Sequence, residues 1–295
     1  MHRNNLTIVI LLAALALTGL FIHMKLPAAT AASMAAPVMD SREEVDLPVL
    51  MYHGITDEPA RVNEYFILAE DFEKDLQWLR DHGYTAVSFQ QLADYAEKGS
   101  RLPEKPVLIT FDDGYYNNYE KAFPLLQKYN TKAVINLIGS ESDLYSNQLF
   151  RPEGGGNVTW GEAANMADSG LVEIGNHTYD LHNNDGVSAG GRKGADRLPG
   201  ESYEAYREAL LDDLGRNQRL IAEATGQPAL VFAWPYGAWP TDGSANPILK
   251  ELGFKGSLTS YQIMNTIRRN DPDSLFGLKR FLRTPDFLLE EYLPA

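Results

Sequence analysis

A parallel α/β architecture, its sheet either closed as a barrel or doubly wound, is what this 295-residue sequence predicts. Three observations predict it. Short apolar runs alternate with amphipathic stretches from Leu47 to the C-terminus. The alternation repeats often enough to require parallel strands joined by helical crossovers. Polar and turn residues also collect where the apolar runs stop.

The expected strands are Pro48–Tyr52, Thr85–Ser88, Pro106–Phe111, Lys132–Leu137, Leu171–Gly175, Leu230–Trp234, Lys255–Leu258 and Leu278–Leu282. Between them lie helical patterns at Ala69–His82, Phe89–Lys98, Tyr116–Tyr129, Thr159–Ser169, Tyr203–Thr225 and Ala245–Leu252. The first of these carries Phe72, Leu76 and Leu79 at helical spacing and stops before Gly83, the residue type that best ends a helix. His82, in its last turn, is read as a cap that complements the helix dipole. The Gly/Asn-rich stretch Asn183–Gly200 is the longest loop, of a length usually associated with function.

Composition narrows the chemistry. With 44% hydrophobic and 22% charged residues the chain is an ordinary globular sequence, able to bury a substantial core. Cysteine is absent, so disulfides, thiolate metal sites and a Cys nucleophile are excluded, and any metal must sit on His, Asp or Glu. A formal charge of -14 argues against nucleic acid or an anionic membrane surface as the partner.

At the N-terminus Arg3 precedes an uncharged apolar run, Leu6 to Ile22, followed by Ala29-Thr30-Ala31. This is the pattern of a secretory signal, with a run just long enough to serve instead as an anchor. Residues 1–31 are therefore expected to be a signal peptide or membrane anchor, 32–46 a tether, and 47–295 a single domain. Either reading puts the domain outside the cytoplasm, secreted or held at the outer face of the membrane, which it touches only through that segment.

The strand ends carry the candidate site. One strand runs into His53, a second into Asp112-Asp113-Gly114, a third into His177 with His182 close behind, and a fourth into Pro235-Tyr236-Gly237. In a parallel barrel these C-terminal ends meet on one face, where active sites are built. His177 and His182 are five residues apart, a poor spacing for one helix face, so a turn after the strand is expected to bring them together. Adjacent carboxylates are costly inside a sheet unless a cation compensates them. One carboxylate and two imidazoles make a three-ligand set with an open position, the pattern of a catalytic zinc site; the other carboxylate is left to act as a base.

Thr110-Phe111-Asp112-Asp113-Gly114, then His177-Thr178 with His182, then Trp234-Pro235-Tyr236-Gly237 resemble the ordered motifs of the NodB-type polysaccharide deacetylases, carbohydrate esterase family 4. The resemblance spans roughly Leu47 to the C-terminus and implies a distorted (β/α) barrel. It implies that Asp112 is the catalytic base, that Asp113, His177 and His182 hold one divalent ion, expected to be Zn²⁺, and that the Tyr236 N–H serves the oxyanion. Three departures stand out. One extra residue separates the two histidines. Ala233 stands where the family has an Arg, leaving Arg280 and Arg283 as weak candidates to orient Asp112. No His follows His182, so His53 is the replacement for the usual C-terminal acid. These departures resemble the branch that deacetylates poly-β-1,6-N-acetylglucosamine.

The resemblance thus implies removal of N-acetyl groups from a GlcNAc-containing extracellular polysaccharide. Asp112 takes the proton of the attacking water and His53 protonates the leaving amine. Trp234, Tyr236 and Trp239 are candidate platforms for sugar rings. A peptidoglycan or chitooligosaccharide deacetylase, an O-acetyl esterase and a catalytically silent wall-binding protein are the alternatives. Acetate release separates enzyme from binder, and β-1,6 against β-1,4 polymers separates the substrates.

Overall fold

The computed structural model describes residues 39–151, 155–182 and 191–294. The apolar run at 6–22, residues 32–38 of the expected tether and the first part of the Asn183–Gly200 loop lie outside the described residues. Twelve strands occur among the described residues. They are β1 Glu44–Leu47, β2 Val49–Tyr52, β3 Gly54–Thr56, β4 Phe66–Leu68, β5 Tyr84–Ala86, β6 Lys105–Phe111, β7 Ala133–Leu137, β8 Val172–Asn176, β9 Val231–Ala233, β10 Gly256–Leu258, β11 Asn265–Arg268 and β12 Phe281–Leu282. The helices are α1 Ala69–Asp81, α2 Phe89–Lys98, α3 Phe123–Tyr129, α4 Gly139–Ser146, α5 Trp160–Asp168, α6 Tyr203–Thr225, α7 Asn246–Glu251 and α8 Leu289–Tyr292.

The main sheet runs β10-β9-β8-β7-β6-β2-β12, with β5 paired to the first half of β6, and its strand pairs are parallel. The last strand region closes it. Leu278 bridges Leu258 of β10, and a few residues later Phe281 and Leu282 pair with Leu50 and Met51 of β2. One short segment thus reaches both ends of the sheet, so the architecture is a distorted (β/α) barrel rather than an open, doubly wound sheet.

Strand alternation divides the core into two layers. Leu50, Tyr52, Ile109, Phe111, Ile135 and Leu137 face outward and pack with helix residues such as Phe72, Leu76 and Leu126. Val49, Leu108, Val134, Val231 and Leu258 belong to a second cluster that fills the barrel interior. Each fully buried aliphatic side chain contributes roughly 1.5–3 kcal/mol relative to exposure. Toward the C-terminal ends the inward positions turn polar, at Thr110, Asp112 and Asn136, and this change of character marks the site.

Helix ends follow local chemistry. Ser88 and Gln91 form a capping box at the start of α2, and Gly99 ends it at φ +68°, a backbone geometry that favours Gly. His82 caps α1 as expected, its Nδ1 2.8 Å from the Trp78 carbonyl and its ring stacked on the indole.

Two expectations are corrected. The segment read as a tether up to residue 46 belongs to the fold from Met39 onward. Asp40 pairs with Arg42 and accepts the Leu102 N–H, and β1 pairs antiparallel with β11. The stretch Tyr116–Tyr129 is not one regular helix: a π turn at Asn118–Ala122 precedes α3. That turn lets Asn118 donate to the His53 carbonyl at 2.6 Å while Asn117 accepts the Ile55 N–H. Among the described residues no helix is long and apolar enough to cross a membrane.

Candidate metal centre and active site

Asp112 occupies an inward position at the end of β6, where only 3% of it is exposed. Arg280 grips it with two N–H donors, Nη1 to Oδ1 and Nη2 to Oδ2, each at 2.7 Å. Asn136 of β7 adds a third donor at 2.8 Å. Arg280 is itself anchored by its Nε to the Thr259 carbonyl, so the fork is fixed before any substrate arrives. Burial alone would raise the Asp112 pKa, but the charge and hydrogen bonds of Arg280 together with the neighbouring His177 and His53 outweigh it and hold the carboxyl far below the usual range. The cation missing at Ala233 is therefore supplied by Arg280 from the opposite end of the sheet. Arg283 goes elsewhere, to Asp75 of α1.

A regular strand would point Asp113 to the opposite side from Asp112. Asp113 instead has φ +69°, followed by Gly114 at +65°, and this left-handed step turns the second carboxylate into the same cavity. A Cβ on Gly114 would sit 2.5 Å from Leu137, so the close approach to β7 also requires glycine there. Asp113 is held at about 2, the hydrogen bond from His177 and nearby imidazoles overcoming burial.

His177 follows β8 directly, and Thr178 at φ +76° makes the turn that brings His182 back beside it. Both Nε2 atoms lie 3.4 Å from Asp113 Oδ1, and the three ligand atoms fall within 4.8 Å of one another. A metal with bonds of about 2.0–2.1 Å to N and O ligands has tetrahedral edges of about 3.3 Å, so the donor set fits a small divalent ion. The other ring nitrogens are engaged. His177 Nδ1 stands 2.8 Å from the Ala233 carbonyl, which requires an N–H there, so that Nε2 is the atom that would bind a metal on giving up its proton. His182 Nδ1 stands 3.2 Å from the Tyr236 hydroxyl. Burial lowers the His182 pKa to about 4, whereas in His177 Asp112 and Asp113 reverse the effect of burial and raise it.

His53 shares the cavity. Its Nδ1 is buried and has no hydrogen-bond partner among the described residues, its ring meets Tyr65 edge-on, and burial lowers its pKa. The cavity measures about 430 Å³ and is lined by His53, Asp112, Asp113, His177, His182 and Arg280, with Trp234 and Tyr236 among its walls. A neighbouring hollow of about 330 Å³ shares Asp113, Tyr115 and His182, so the site opens in two directions.

The three expected sugar platforms separate. Tyr236, at φ +57° in the Pro235–Gly237 turn, is 38% exposed at the rim. Trp234 is fully buried and forms wall rather than platform. Trp239 is not among the lining residues; it lies over Gly277 and packs against the core. Sequence reasoning missed Asn136, which a polar residue inside an apolar strand could have flagged. It also missed Tyr115, whose hydrogen bond to Asp113 has no sequence signal beyond adjacency.

A parallel barrel that gathers an ionised Asp, an Asp–His–His triad and a buried His in one cavity is equipped for hydrolytic chemistry. The chain belongs to the polysaccharide deacetylase family, whose pattern residues 99–257 match. It is 31% identical over 222 residues to a poly-beta-1,6-N-acetyl-D-glucosamine N-deacetylase of Escherichia coli (strain K12), covering 70% of this chain and 32% of that relative. The chain thus spans about a third of that relative's length. A Staphylococcus aureus (strain MSSA476) protein of the same name is 25% identical over 214 residues, covering 71% of this chain and 66% of the relative. Among solved structures, a de-N-acetylase from Aggregatibacter actinomycetemcomitans superposes with a TM-score of 0.70 at 29% identity, covering 84% of this chain and all of that one. IcaB from Ammonifex degensii gives 0.65 at 29% identity, covering 82% and 93%.

Proposed function

We propose that this chain is a metal-dependent N-deacetylase of an extracellular GlcNAc-containing polysaccharide, with poly-β-1,6-N-acetylglucosamine as the favoured substrate. The observation that carries the reading is the pairing of an ionised Asp112, fixed by Arg280, with the Asp113–His177–His182 ligand set in one open cavity. A divalent ion in that set, zinc by its nitrogen-rich donors, would lower the pKa of water and polarise the acetyl carbonyl. Asp112 accepts the proton of the attacking water, and Arg280 keeps that carboxylate ionised beforehand. His53 donates a proton to the departing amine, since an amine is a poor leaving group without one. The turn at Tyr236 directs a backbone N–H to the developing oxyanion.

The substrate choice rests on the names of the two curated relatives and on a site open in two directions, which suits an internal sugar of a polymer. The N-terminal segment is proposed to export the chain, as a cleaved signal or an anchor, ahead of a single catalytic domain. Zinc-loaded protein should release more acetate from β-1,6-linked than from β-1,4-linked GlcNAc oligomers. Equal or reversed rates would move the substrate to chitooligosaccharide or peptidoglycan, and no release from either would reject the enzyme.

A further inference from the structure

The loop from His177 to His182 has one more residue between its histidines than the common family spacing, and a longer loop needs something to fix its path. Helix α6 faces it with three side chains. Asp213 accepts the Tyr179 N–H at 2.7 Å on Oδ1 and the Asp180 N–H at 2.8 Å on Oδ2. Asn217, fully buried, donates to the Thr178 carbonyl at 2.9 Å, to the Leu137 carbonyl at 2.9 Å and to Asn176 Oδ1 at 3.1 Å. The Arg216 guanidinium lies 3.5 Å over the Tyr179 ring, whose hydroxyl donates to Asp143.

Further backbone groups of the turn are also paired. The Thr178 N–H donates to Asn176 Oδ1, the Thr178 carbonyl accepts from Gly139 N–H, and the Tyr179 carbonyl accepts from Ser140 N–H. A Cβ on Gly139 would lie 2.4 Å from Asn217 Oδ1, so α4 and α6 close on the loop from both sides. Within this enclosure Asp213 holds the backbone N–H groups of Tyr179 and Asp180, with Leu181 alone between them and His182. Successive N–H groups converging on one anion form a nest, a geometry that fixes the chain direction.

We propose that Asp213 is a positioning residue for the metal centre, setting where His182 stands relative to Asp113 and His177; this rests on the metal-dependent reading above. It touches neither metal nor substrate. Its carboxylate draws the Tyr179–Asp180 peptides toward α6, and the loop then delivers His182 Nε2 to within 3.4 Å of Asp113 Oδ1. Removing one of its two acceptor oxygens leaves one N–H unpaired and slackens the arm that carries His182, while the strand-end ligands Asp113 and His177 stay in place.

The test compares Asp213→Asn, Asp213→Glu and the exposed neighbour Asp212→Asn with wild type at pH 8, above the value of about 6 to which burial pushes the Asp213 carboxyl. Zinc affinity is read on apoprotein by competition with a chromogenic chelator, alongside the unfolding midpoint of the apoprotein. Groups that orient metal ligands typically change affinity by about 10–100-fold, and Asp213→Asn is expected to weaken zinc binding within that range. Asp213→Glu, which keeps both acceptor oxygens, should recover part of the loss, and Asp212→Asn should match wild type. Excess zinc should restore much of the Asp213→Asn turnover. A folded Asp213→Asn protein with wild-type zinc affinity and only a lower unfolding midpoint would overturn the proposal, reducing Asp213 to a structural brace. Failure of wild type itself to bind zinc would instead reject the underlying metal reading.

Discussion

Arg280 and Arg283 stand three residues apart on the closing segment of the barrel, and each ends in a buried ion pair with a carboxylate. Alternation sends them to opposite sides of the sheet. Arg280 points inward with Leu282 to line the cavity and grips Asp112; Arg283 points outward to Asp75 of α1, beside the Tyr52 hydroxyl. The carboxylates respond in opposite directions. Asp112, with three N–H donors and imidazoles nearby, is held far below the ordinary range, whereas burial pushes Asp75 up despite Arg283. The same pair of residue types therefore lines the candidate site on one side of the sheet and ties a helix to the sheet on the other. Each carboxylate finds one further donor besides its arginine, Asn136 for Asp112 and the Tyr52 hydroxyl for Asp75. What decides the direction is therefore the neighbouring charge: the imidazoles of His177 and His53 beside Asp112, and the Asp71 carboxylate near Asp75.

The largest effect expected from breaking the inner side is loss of the metal. The His177→Ala/His182→Ala double mutant leaves Asp113 as the sole ligand of the set, and two protein ligands already rarely hold a catalytic ion. Metal analysis should find it empty; full occupancy would discard the ligand assignment.

The two arginines offer the sharpest contrast. Arg280→Met and Arg283→Met each leave a buried carboxylate without its partner, costing about 3–5 kcal/mol of stability. Only Arg280→Met should also lower acetate release per folded molecule, by a share of the roughly 10²–10⁴-fold that a general base supplies. Equal turnover in the two folded variants would remove the functional distinction between the pairs.

How much of this was legible depends on the range of the interaction. Helices α2 and α6 match the sequence-derived boundaries, because local signals set them: Ser88 and Gly99 for one, Ser202 and Gly226 for the other. Asp112, Asp113, His177 and His182 were legible for a related reason, since polar residues at the ends of apolar strands have few bland explanations. The β1–β11 pairing was not, because Glu44 and Arg268 meet only after the whole barrel has closed. Arg280 was visible only as a weak candidate; its side depends on a register that the sequence pattern does not carry. Trp239 failed as a platform for the same reason. Aromatic character names a residue that will be buried or stacked, and Gly277 decided where.

A smaller effect separates His53 from the rest of the cavity. His53→Ala should retain metal and slow amide turnover, yet hydrolyse an activated aryl acetate with much less loss, because that leaving group needs little protonation. Comparable losses on both substrates in a folded, metal-loaded protein would take His53 out of the mechanism.

Acidification gives the smallest and most diagnostic signal of the Asp112 pair. Its pKa is depressed in the fold, so its contribution to stability is present above the unfolded value of about 3.9 and is lost as pH falls below it toward the folded pKa. The stability gap between wild type and Asp112→Asn, read from urea midpoints, should therefore be wide at pH 7 and narrow below about pH 4. A gap that does not change with pH would mean that Asp112 is not held ionised by its surroundings.

The central claim is that Asp112 does chemistry beside a metal site it does not build, and acetate release by Asp112→Asn at matched zinc content tests it most directly. The expected result is a zinc-loaded, folded protein whose acetate release from a β-1,6-linked GlcNAc oligomer falls by about 10²–10⁴-fold, the range typical of a lost general base. Near wild-type release at equal zinc content would contradict the account.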